Sequence, residues 1–210
     1  MPRIRTGGFK DISVCIGNEL VETLAGSYSR QGMDETVVIT RSNKRANMYN
    51  AGIRNQILGR ESELESGDML MIVKNNYYWT HDIKDPAAPP FLANGDRCVV
   101  RRVRNIRSLY GFRFADVLFT LPDYDDYEIQ ATMLLDTLQS ESPALSAEKA
   151  AELMTRIETE DYADITRKDE RRERLRDDKH FNALQVKYAY AVTCHKAQGG
   201  QWADVYLDQG

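Results

Sequence analysis

A polar loop near the end of the chain contains the residues best suited to chemistry. Residues 193–201 read T-C-H-K-A-Q-G-G-Q and lie between two apolar, strand-like runs, Tyr188–Val192 and Val205–Leu207. Lysine, threonine and backbone N–H groups suit phosphate oxygens, and the paired glycines Gly199–Gly200 allow the backbone to approach a ligand closely. The loop therefore predicts a contact with a phosphate or a nucleotide, with a solvated turn as the alternative.

The same loop offers a second chemistry, because Cys194 and His195 are the residue types of a Cys–His hydrolase. Adjacent residues at a strand exit point in different directions, and no orienting carboxylate is evident, so we expect this pair not to act as nucleophile and base. The other cysteines, Cys15 and Cys98, lie far from Cys194 and from each other. The cysteines therefore predict neither a disulfide framework nor a zinc site.

Five residues of the loop follow the pattern T-x-H-K-x-Q-G: Thr193, His195, Lys196, Gln198 and Gly199. This pattern resembles motif V of superfamily-one DNA helicases, in the form found in the RecD-like branch. The chain is thus similar to the C-terminal part of a RecD-like/UvrD-like ATP-dependent DNA helicase of the exodeoxyribonuclease V alpha-subunit type. It departs from many relatives at Gln201, where they carry glutamate. A glutamine can still hydrogen-bond a ribose hydroxyl, but it lacks the charge.

The resemblance implies a role for each part of the loop. The residues nearest the strand would face the backbone of single-stranded DNA, namely Thr193, His195 and Lys196. Gln198 and Gly199 would sense the γ-phosphate of ATP as catalytic residues, and Gln201 would lie near the ribose. The parent protein would use ATP and Mg²⁺, and the loop would couple hydrolysis to movement along the strand because both ligands touch it.

A strand, a polar loop and a helix are predicted in residues 35–59. The β-branched run Glu35–Thr40 is typical of a strand buried on both faces. Ser42 or Asn43 can cap the helix that follows, and Gly59 can end it. The apolar face of this helix has Ala46, Tyr49, Asn50, Ile53 and Ile57 at helical spacing. We expect ligands at the carboxyl end of the strand.

The helix also resembles the family, in which it follows the pattern N-x-x-I-R. Asn50 and Arg54 match this pattern, and the resemblance implies that they bind ATP. The alternative is an asparagine that packs the helix and an ordinary surface arginine.

A small β-barrel is predicted after residue 60. Gly67-Asp68 and Gly95-Asp96 are turn signals that each precede an apolar run. A third run, Phe112–Leu121, changes its alternation near Ala115–Asp116, which predicts a β-bulge. The resemblance implies an SH3-like barrel inserted into the second RecA-like domain, with Thr80–Pro90 as a loop inside the barrel.

Three clusters in or beside this region have more than one interpretation. The arginines could face DNA, with Arg101 and Arg102 as candidate contacts, or they could protect a solvated sheet face. They are Arg97, Arg101, Arg102, Arg104, Arg107 and Arg113. Tyr77, Tyr78 and Trp79 could stack bases, although barrel core is the commoner fate of such residues. The acidic run 123–128 could hold a metal, but no second cluster or histidine accompanies it, so we expect a solvated loop and no metal site.

A helical insert is predicted before the chain returns to the strand at Tyr188. Ser142–Asp164 reads as a helix with Pro143 in its first turn. Its apolar stripe consists of Ala147, Ala150, Ala151, Met154 and Ile157. The next stretch, residues 166–181, is polar on every face apart from Leu175 and predicts an exposed helix or a mobile segment.

These patterns together predict an α/β fold. Residues 1–60 and 185–210 would form a partial RecA-like parallel sheet, of the kind found in the second domain of P-loop NTPases. Residues 61–135 would form the SH3-like barrel, and residues 136–184 the helical insert.

The composition is that of a globular protein, with 210 residues, 42% hydrophobic residues and a net charge of −4. A protein that holds DNA mainly by its overall charge would be basic, so local patches would have to bind it. No run approaches the roughly 18 apolar residues of a membrane helix, and the first residues lack the apolar core of a secretory signal. We therefore expect a cytoplasmic location and no membrane partner.

The sequence contains no G-x-x-x-x-G-K-[ST] motif, and it ends before the family's motif VI. We therefore expect a fragment that does not hydrolyse ATP by itself and that needs the N-terminal RecA-like domain of its parent chain. Its other expected partner is single-stranded DNA, and helicase or nuclease subunits are candidate partners of the parent protein. The alternative is a non-catalytic module that binds single-stranded DNA or a protein.

Overall fold

The computed structural model describes residues 6–209, which divide into two compact units. The first unit comprises the described residues of Met1–Glu61 and Tyr190–Gly210, and the second is Ser62–Ala189. The second unit is thus an insertion into the chain of the first. Among the described residues, no helix is long and apolar enough to cross a membrane.

The described residues form four α-helices and eight strands. The helices are α1 Leu20–Gln31, α2 Asn43–Gly52, α3 Ala147–Glu160 and α4 Lys168–Arg176. The first four strands are β1 Thr36–Thr40, β2 Met69–Ile72, β3 Arg97–Leu109 and β4 Phe112–Leu121. The last four are β5 Tyr127–Leu134, β6 Leu184–Tyr188, β7 Ala191–Thr193 and β8 Asp204–Leu207. A π-helical turn, Ile53–Ile57, continues α2, and a 3-10 turn, Leu135–Thr137, follows β5.

The first unit is built on a parallel sheet with the strand order β7-β1-β8. The predicted strand at Glu35–Thr40 is confirmed as β1, whose residues are buried except for the half-buried Ile39. Helix α1 contacts β8 through a hydrogen bond of 2.7 Å between the hydroxyl groups of Ser27 and Tyr206. The parallel sheet expected from the β-branched run is therefore present, with β1 at its centre.

Helix α2 begins where the sequence predicts. The Ser42 side chain caps it by accepting a hydrogen bond from the backbone N–H of Arg45 at 3.3 Å. Ala46, Asn50 and Ile53 are buried on the predicted face. The helix continues into the π-helical turn before Gly59, which has the left-handed φ of +61° that favours glycine.

The apolar run Tyr188–Val192 is not one strand. Tyr188 ends β6 in the second unit, whereas β7 in the first unit starts at Ala191. Every residue from Tyr188 to Val192 is buried, so no polar residue marks the junction in the sequence. Ile12, Val14 and Ile16 alternate as in a strand, but this segment has no regular structure and all three side chains are exposed.

The second unit contains a closed barrel with the strand order β2-β3-β4-β5-β6. Its pairs are antiparallel except for β5 and β6, which are parallel. The two Gly-Asp turns before β2 and β3 are confirmed and share one geometry. Asp68 accepts a hydrogen bond from the N–H of Glu65, as Asp96 does from that of Ala93, at 2.9 and 2.8 Å. Each aspartate thus closes the turn that starts its strand.

The predicted bulge at Ala115–Asp116 is wrong. Strand β4 pairs with β5 without interruption from Phe114 to Leu121, and the irregularities lie in the partner strand β3. Phe114 and Ala115 are both fully buried, although neighbouring residues of a strand face opposite sides. The alternation changes because the face that holds Phe114 is also covered, by helices rather than by the barrel interior.

The covering helices are α3 and α4. Leu153, Ile157 and Leu175 from these helices form one core cluster with strand residues that include Tyr110, Phe112, Phe114 and Leu134. The predicted helix is therefore confirmed with corrections. It is capped by Ser146, with Pro143 outside it, and Leu153 is buried where Met154 was expected. The helical insert lies in the same compact unit as the barrel.

Candidate functional site

The carboxyl ends of the three parallel strands bring several polar segments to one edge of the sheet. Thr40 of β1 pairs with Thr193 of β7, and Ile39 pairs with Leu207 of β8. Strand β1 leads into the start of α2, β7 into the 194–200 loop, and β8 into Asp208. Open α/β sheets bind ligands at this edge. The predicted loop therefore lies where the fold offers a site.

The loop is held in a fixed shape by its own backbone. The N–H groups of Lys196 and Ala197 both donate to the carbonyl of Thr193, at 2.9 and 3.0 Å. The N–H and the thiol of Cys194 both point to the carbonyl of Thr40, at 2.9 and 3.3 Å. Because the Cys194 thiol is engaged with β1, its geometry does not favour the hydrolase alternative.

The side chains predicted to contact ligands differ in exposure. His195, Gln198 and Gln201 are exposed, whereas Thr193 and Lys196 are half-buried. Burial lowers the pKa of the Lys196 ammonium. A partly buried ammonium is less screened by water and interacts more strongly with a phosphate.

The two glycines of the loop have different structural roles. Gly199 has a left-handed φ of +83°, which lets the chain turn. A Cβ atom on Gly200 would lie only 2.1 Å from the indole of Trp202. The missing side chain of Gly200 is thus explained by the packing of Trp202, and only Gly199 remains available for close approach of a ligand.

Asn50 connects α2 to β7. Its buried amide donates to the carbonyl of Ala191 at 3.0 Å and accepts from the N–H of Ala191 at 2.8 Å. The amide thus acts like a neighbouring strand toward β7, which agrees with the helix-packing interpretation. Arg54 is not a surface residue, because it is 6% exposed within the π-helical turn.

Sequence reasoning missed an ion pair at the same edge. Arg45, in the first turn of α2, makes a bidentate contact with Asp208 at 2.6 and 2.8 Å. Two parallel N–H···O bonds fix geometry as well as charge. The pair ties the start of α2 to the end of β8. Its partners lie far apart in the sequence, so no spacing signal could have revealed it.

The arginine cluster of the barrel is largely neutralised by carboxylates. Four of its members form ion pairs: Arg97 with Asp123, Arg101 with Asp126, Arg107 with Asp116 and Arg113 with Glu63. Arg101 also donates to the hydroxyl of Thr120 at 3.1 Å. Arg102 and Arg104 are exposed. The pairing favours the alternative in which the arginines protect a sheet face.

The acidic run begins in the turn between β4 and β5, where Asp123 and Asp126 pair with Arg97 and Arg101. Among residues 6–209, no group of three or more histidine, cysteine, aspartate or glutamate side chains could hold a metal ion. Asp123, Asp125 and Asp126 are exposed, as expected for a solvated loop.

Two of the three predicted aromatic residues contact each other, with the rings of Tyr78 and Trp79 edge to face at a centroid distance of 5.0 Å. The Trp79 indole donates to the carbonyl of Asn182 at 2.8 Å, and the Tyr78 hydroxyl donates to that of Asp177 at 2.9 Å. Both side chains thus connect the loop between β2 and β3 to the segment after α4, within the second unit. Tyr77 is exposed and stacks on Phe91 with a centroid distance of 4.9 Å.

A comparison with known families found no family model that matches the sequence, and a comparison with curated proteins found no match.

Proposed function

We propose that this chain provides the second RecA-like domain of a RecD-like, superfamily-one DNA helicase. One observation carries the proposal. The T-x-H-K-x-Q-G loop leaves the carboxyl end of a parallel strand, beside the end of β1 and the capped start of α2. Polar loops at this position bind nucleotides and phosphates in α/β proteins.

In this proposal the loop contacts two ligands. Thr193, His195 and Lys196 bind the phosphates of single-stranded DNA, and Gln198 with Gly199 responds to the γ-phosphate of ATP. Exposed Arg41 and Lys44 at the start of α2 add positive charge at the same edge. The sequence has no P-loop, so ATP and Mg²⁺ would be held mainly by the N-terminal RecA-like domain of the parent chain.

The topology of the second unit supports the proposal. Its barrel is inserted between β1 and β7, as the family resemblance implies. A long loop joins its first two strands, and a 3-10 turn follows β5. These features suit an SH3-like barrel, with α3 and α4 added before the final strand.

The test measures binding of a fluorescent oligothymidylate by anisotropy at several salt concentrations. We expect Lys196→Ala to weaken binding by about fivefold to tenfold and to reduce the salt slope by about 0.7, the value for one lost phosphate contact on a single strand. Lys149→Ala removes an exposed lysine from α3 and serves as the matched control. Equal affinity of both variants and the unchanged chain would contradict a DNA contact by Lys196.

The absence of a P-loop from the sequence also favours a second candidate, a binding module without catalysis. This candidate predicts DNA binding that depends on the exposed Arg102 and Arg104 of the barrel and not on Lys196. If the oligonucleotide does not bind at all, a protein partner becomes the better explanation.

A further inference from the structure

A polar cluster joins the helical insert to the barrel around His180. This histidine lies after α4 and is 8% exposed. Its imidazole packs against the rings of Phe114 and Tyr110, with centroid distances of 5.0 and 5.5 Å. Tyr110 and Phe114 also belong to the apolar core beneath α3 and α4, so the polar cluster lies beside that core.

Arg107 of β3 connects His180 to the barrel. Its Nη2 atom lies 2.9 Å from Oδ1 of Asp116 on β4 and 3.1 Å from Nε2 of His180. An arginine can only donate hydrogen bonds, so Nε2 must accept. His180 is therefore neutral in this arrangement, and its proton is on Nδ1, which lies 4.0 Å from Oδ1 of Asp178.

Charged groups from every neighbouring element face this histidine. Asp178 and Lys179 come from its own loop, Arg107 from β3, and Asp161 from the end of α3. Asp116 is already paired with Arg107. Two tyrosines hold the carboxylates, since the Tyr110 hydroxyl donates to Asp161 and that of Tyr162 donates to Asp178.

These surroundings disfavour the charged imidazolium. Burial is the largest effect and lowers the pKa of His180 below its ordinary value of 6.5. Arg107 and Lys179 lower this pKa further, whereas Asp178 and Asp161 oppose the shift.

We propose that the contact between Arg107 and His180 is an acid-sensitive latch that holds the helical insert on the barrel. Protonation of Nε2 removes the acceptor and places an imidazolium beside the guanidinium of Arg107. The contact then breaks, and α3 and α4 loosen while the hydrogen-bonded barrel strands stay paired.

The direction of the pH effect follows from proton linkage. The pKa of His180 is lower in the folded chain than in the unfolded one, so the unfolded or loosened state binds more protons below pH 6.5. The contribution of the latch is complete above this value. It is lost as the pH falls from there through the lowered pKa.

Hydrogen exchange of the whole chain tests the latch at about pH 7.5 and about pH 5.5, one unit on either side of the ordinary histidine pKa. After correction for intrinsic rates, we expect exchange in α3 and α4 to rise by up to about tenfold at the lower pH, since one unit of pKa is tenfold. Exchange in β4 and β5 should stay unchanged. Glutamine can accept from Arg107 without titrating, so His180→Gln should abolish the rise. His81→Gln, at an exposed histidine of the same unit, should retain it.

The latch is contradicted if the unchanged chain shows no rise, or if His180→Gln shows the same rise. If this variant does not fold, an NMR titration of His180 in the unchanged chain decides. A pKa below 6.5 that coincides with the loosening of α3 and α4 supports the latch. Titration at or above the ordinary value, or loosening on a different curve, overturns it.

Discussion

At the scale of single residues, the edge of the parallel sheet owes its shape to polar groups that bind the chain itself. Asn50 satisfies both backbone groups of Ala191, and Arg45 clamps Asp208. Neither residue belongs to the loop, but Asn50 holds β7, which leads into the loop, and Arg45 holds the end of β8 at the same edge. The proposed ligand contacts therefore depend on positioning residues as well as on the loop.

Replacing Asn50 tests this positioning role. Asn50→Ala leaves the buried N–H and carbonyl of Ala191 without their partner, so we expect a loss of about 2 to 4 kcal/mol in the free energy of unfolding. Asn55→Ala, at an exposed position of the next turn, should cost about 0.5 kcal/mol or less. Urea denaturation measures both. Equal stability of the two variants would contradict the bridge between α2 and β7.

Replacing Gly200 tests the packing of Trp202. An added methyl group would overlap the indole, so we expect Gly200→Ala to displace the ring and shift its fluorescence to longer wavelength. Gly17→Ala is the control, because a Cβ there meets nothing within 4 Å. An unshifted emission spectrum for Gly200→Ala would show that the indole does not occupy this space.

Residue types and spacing were sufficient to predict the polar loop, the Ser42 cap and the two Gly-Asp turns, because each is a local arrangement. Residue types and spacing could not show whether Asn50 packs the helix or contacts a ligand. Its partner Ala191 is distant in the sequence and is contacted through the backbone, which carries no side-chain signal.

At the scale of elements, strand β3 has an edge that is only partly covered. Among the described residues, β2 pairs with this edge as far as Val99, and no strand pairs with it after that residue, whereas the opposite edge pairs with β4. Register shifts occur in the pairing of β3 with β4, on its other edge, between Val100 and Arg102 and between Arg104 and Arg107. Bulges and charged side chains are the devices by which proteins prevent edge strands from pairing with other copies. The presence of arginines on β3 can thus be explained by protection of the strand edge, without a role in DNA binding.

Removing these charges tests the edge. We expect the double variant Arg102→Ile, Arg104→Ile to self-associate at high concentration, as measured by sedimentation velocity, because it presents an apolar strand edge. The control, Lys168→Ile with Arg172→Ile, adds similar apolar surface to the exposed side of α4, which offers no strand edge. Self-association of both variants to the same extent would indicate a simple hydrophobic effect.

The strands of the barrel show where sequence patterns stop being informative. Phe112–Leu121 was predicted with its correct bounds, but the change in alternation was assigned to a bulge. Both faces of β4 are buried near Phe114, one by the barrel and one by α3 and α4. The alternation of apolar and polar residues shows which side chains are buried. It cannot distinguish a regular strand whose outer face is covered by helices from a strand that contains a bulge.

At the scale of the whole molecule, the sequence of the α/β unit is interrupted by the sequence of the barrel unit. This discontinuity was predicted from the resemblance, but the return point was not, because β6 and β7 follow each other in one buried run. The net charge of −4 gives the molecule no general attraction to DNA. Any DNA binding must therefore be local, and its location identifies which unit is responsible.

The most direct test of the proposed function maps the binding of oligothymidylate to the whole chain by hydrogen exchange. We expect protection of the 193–201 loop and of the start of α2 at residues 41–45, with β3 and β4 unchanged. Lys196→Ala should remove this protection, and Lys149→Ala should preserve it. Protection confined to β3 and β4, or no protection in the presence of excess oligonucleotide, would contradict a DNA-binding loop at the edge of the parallel sheet.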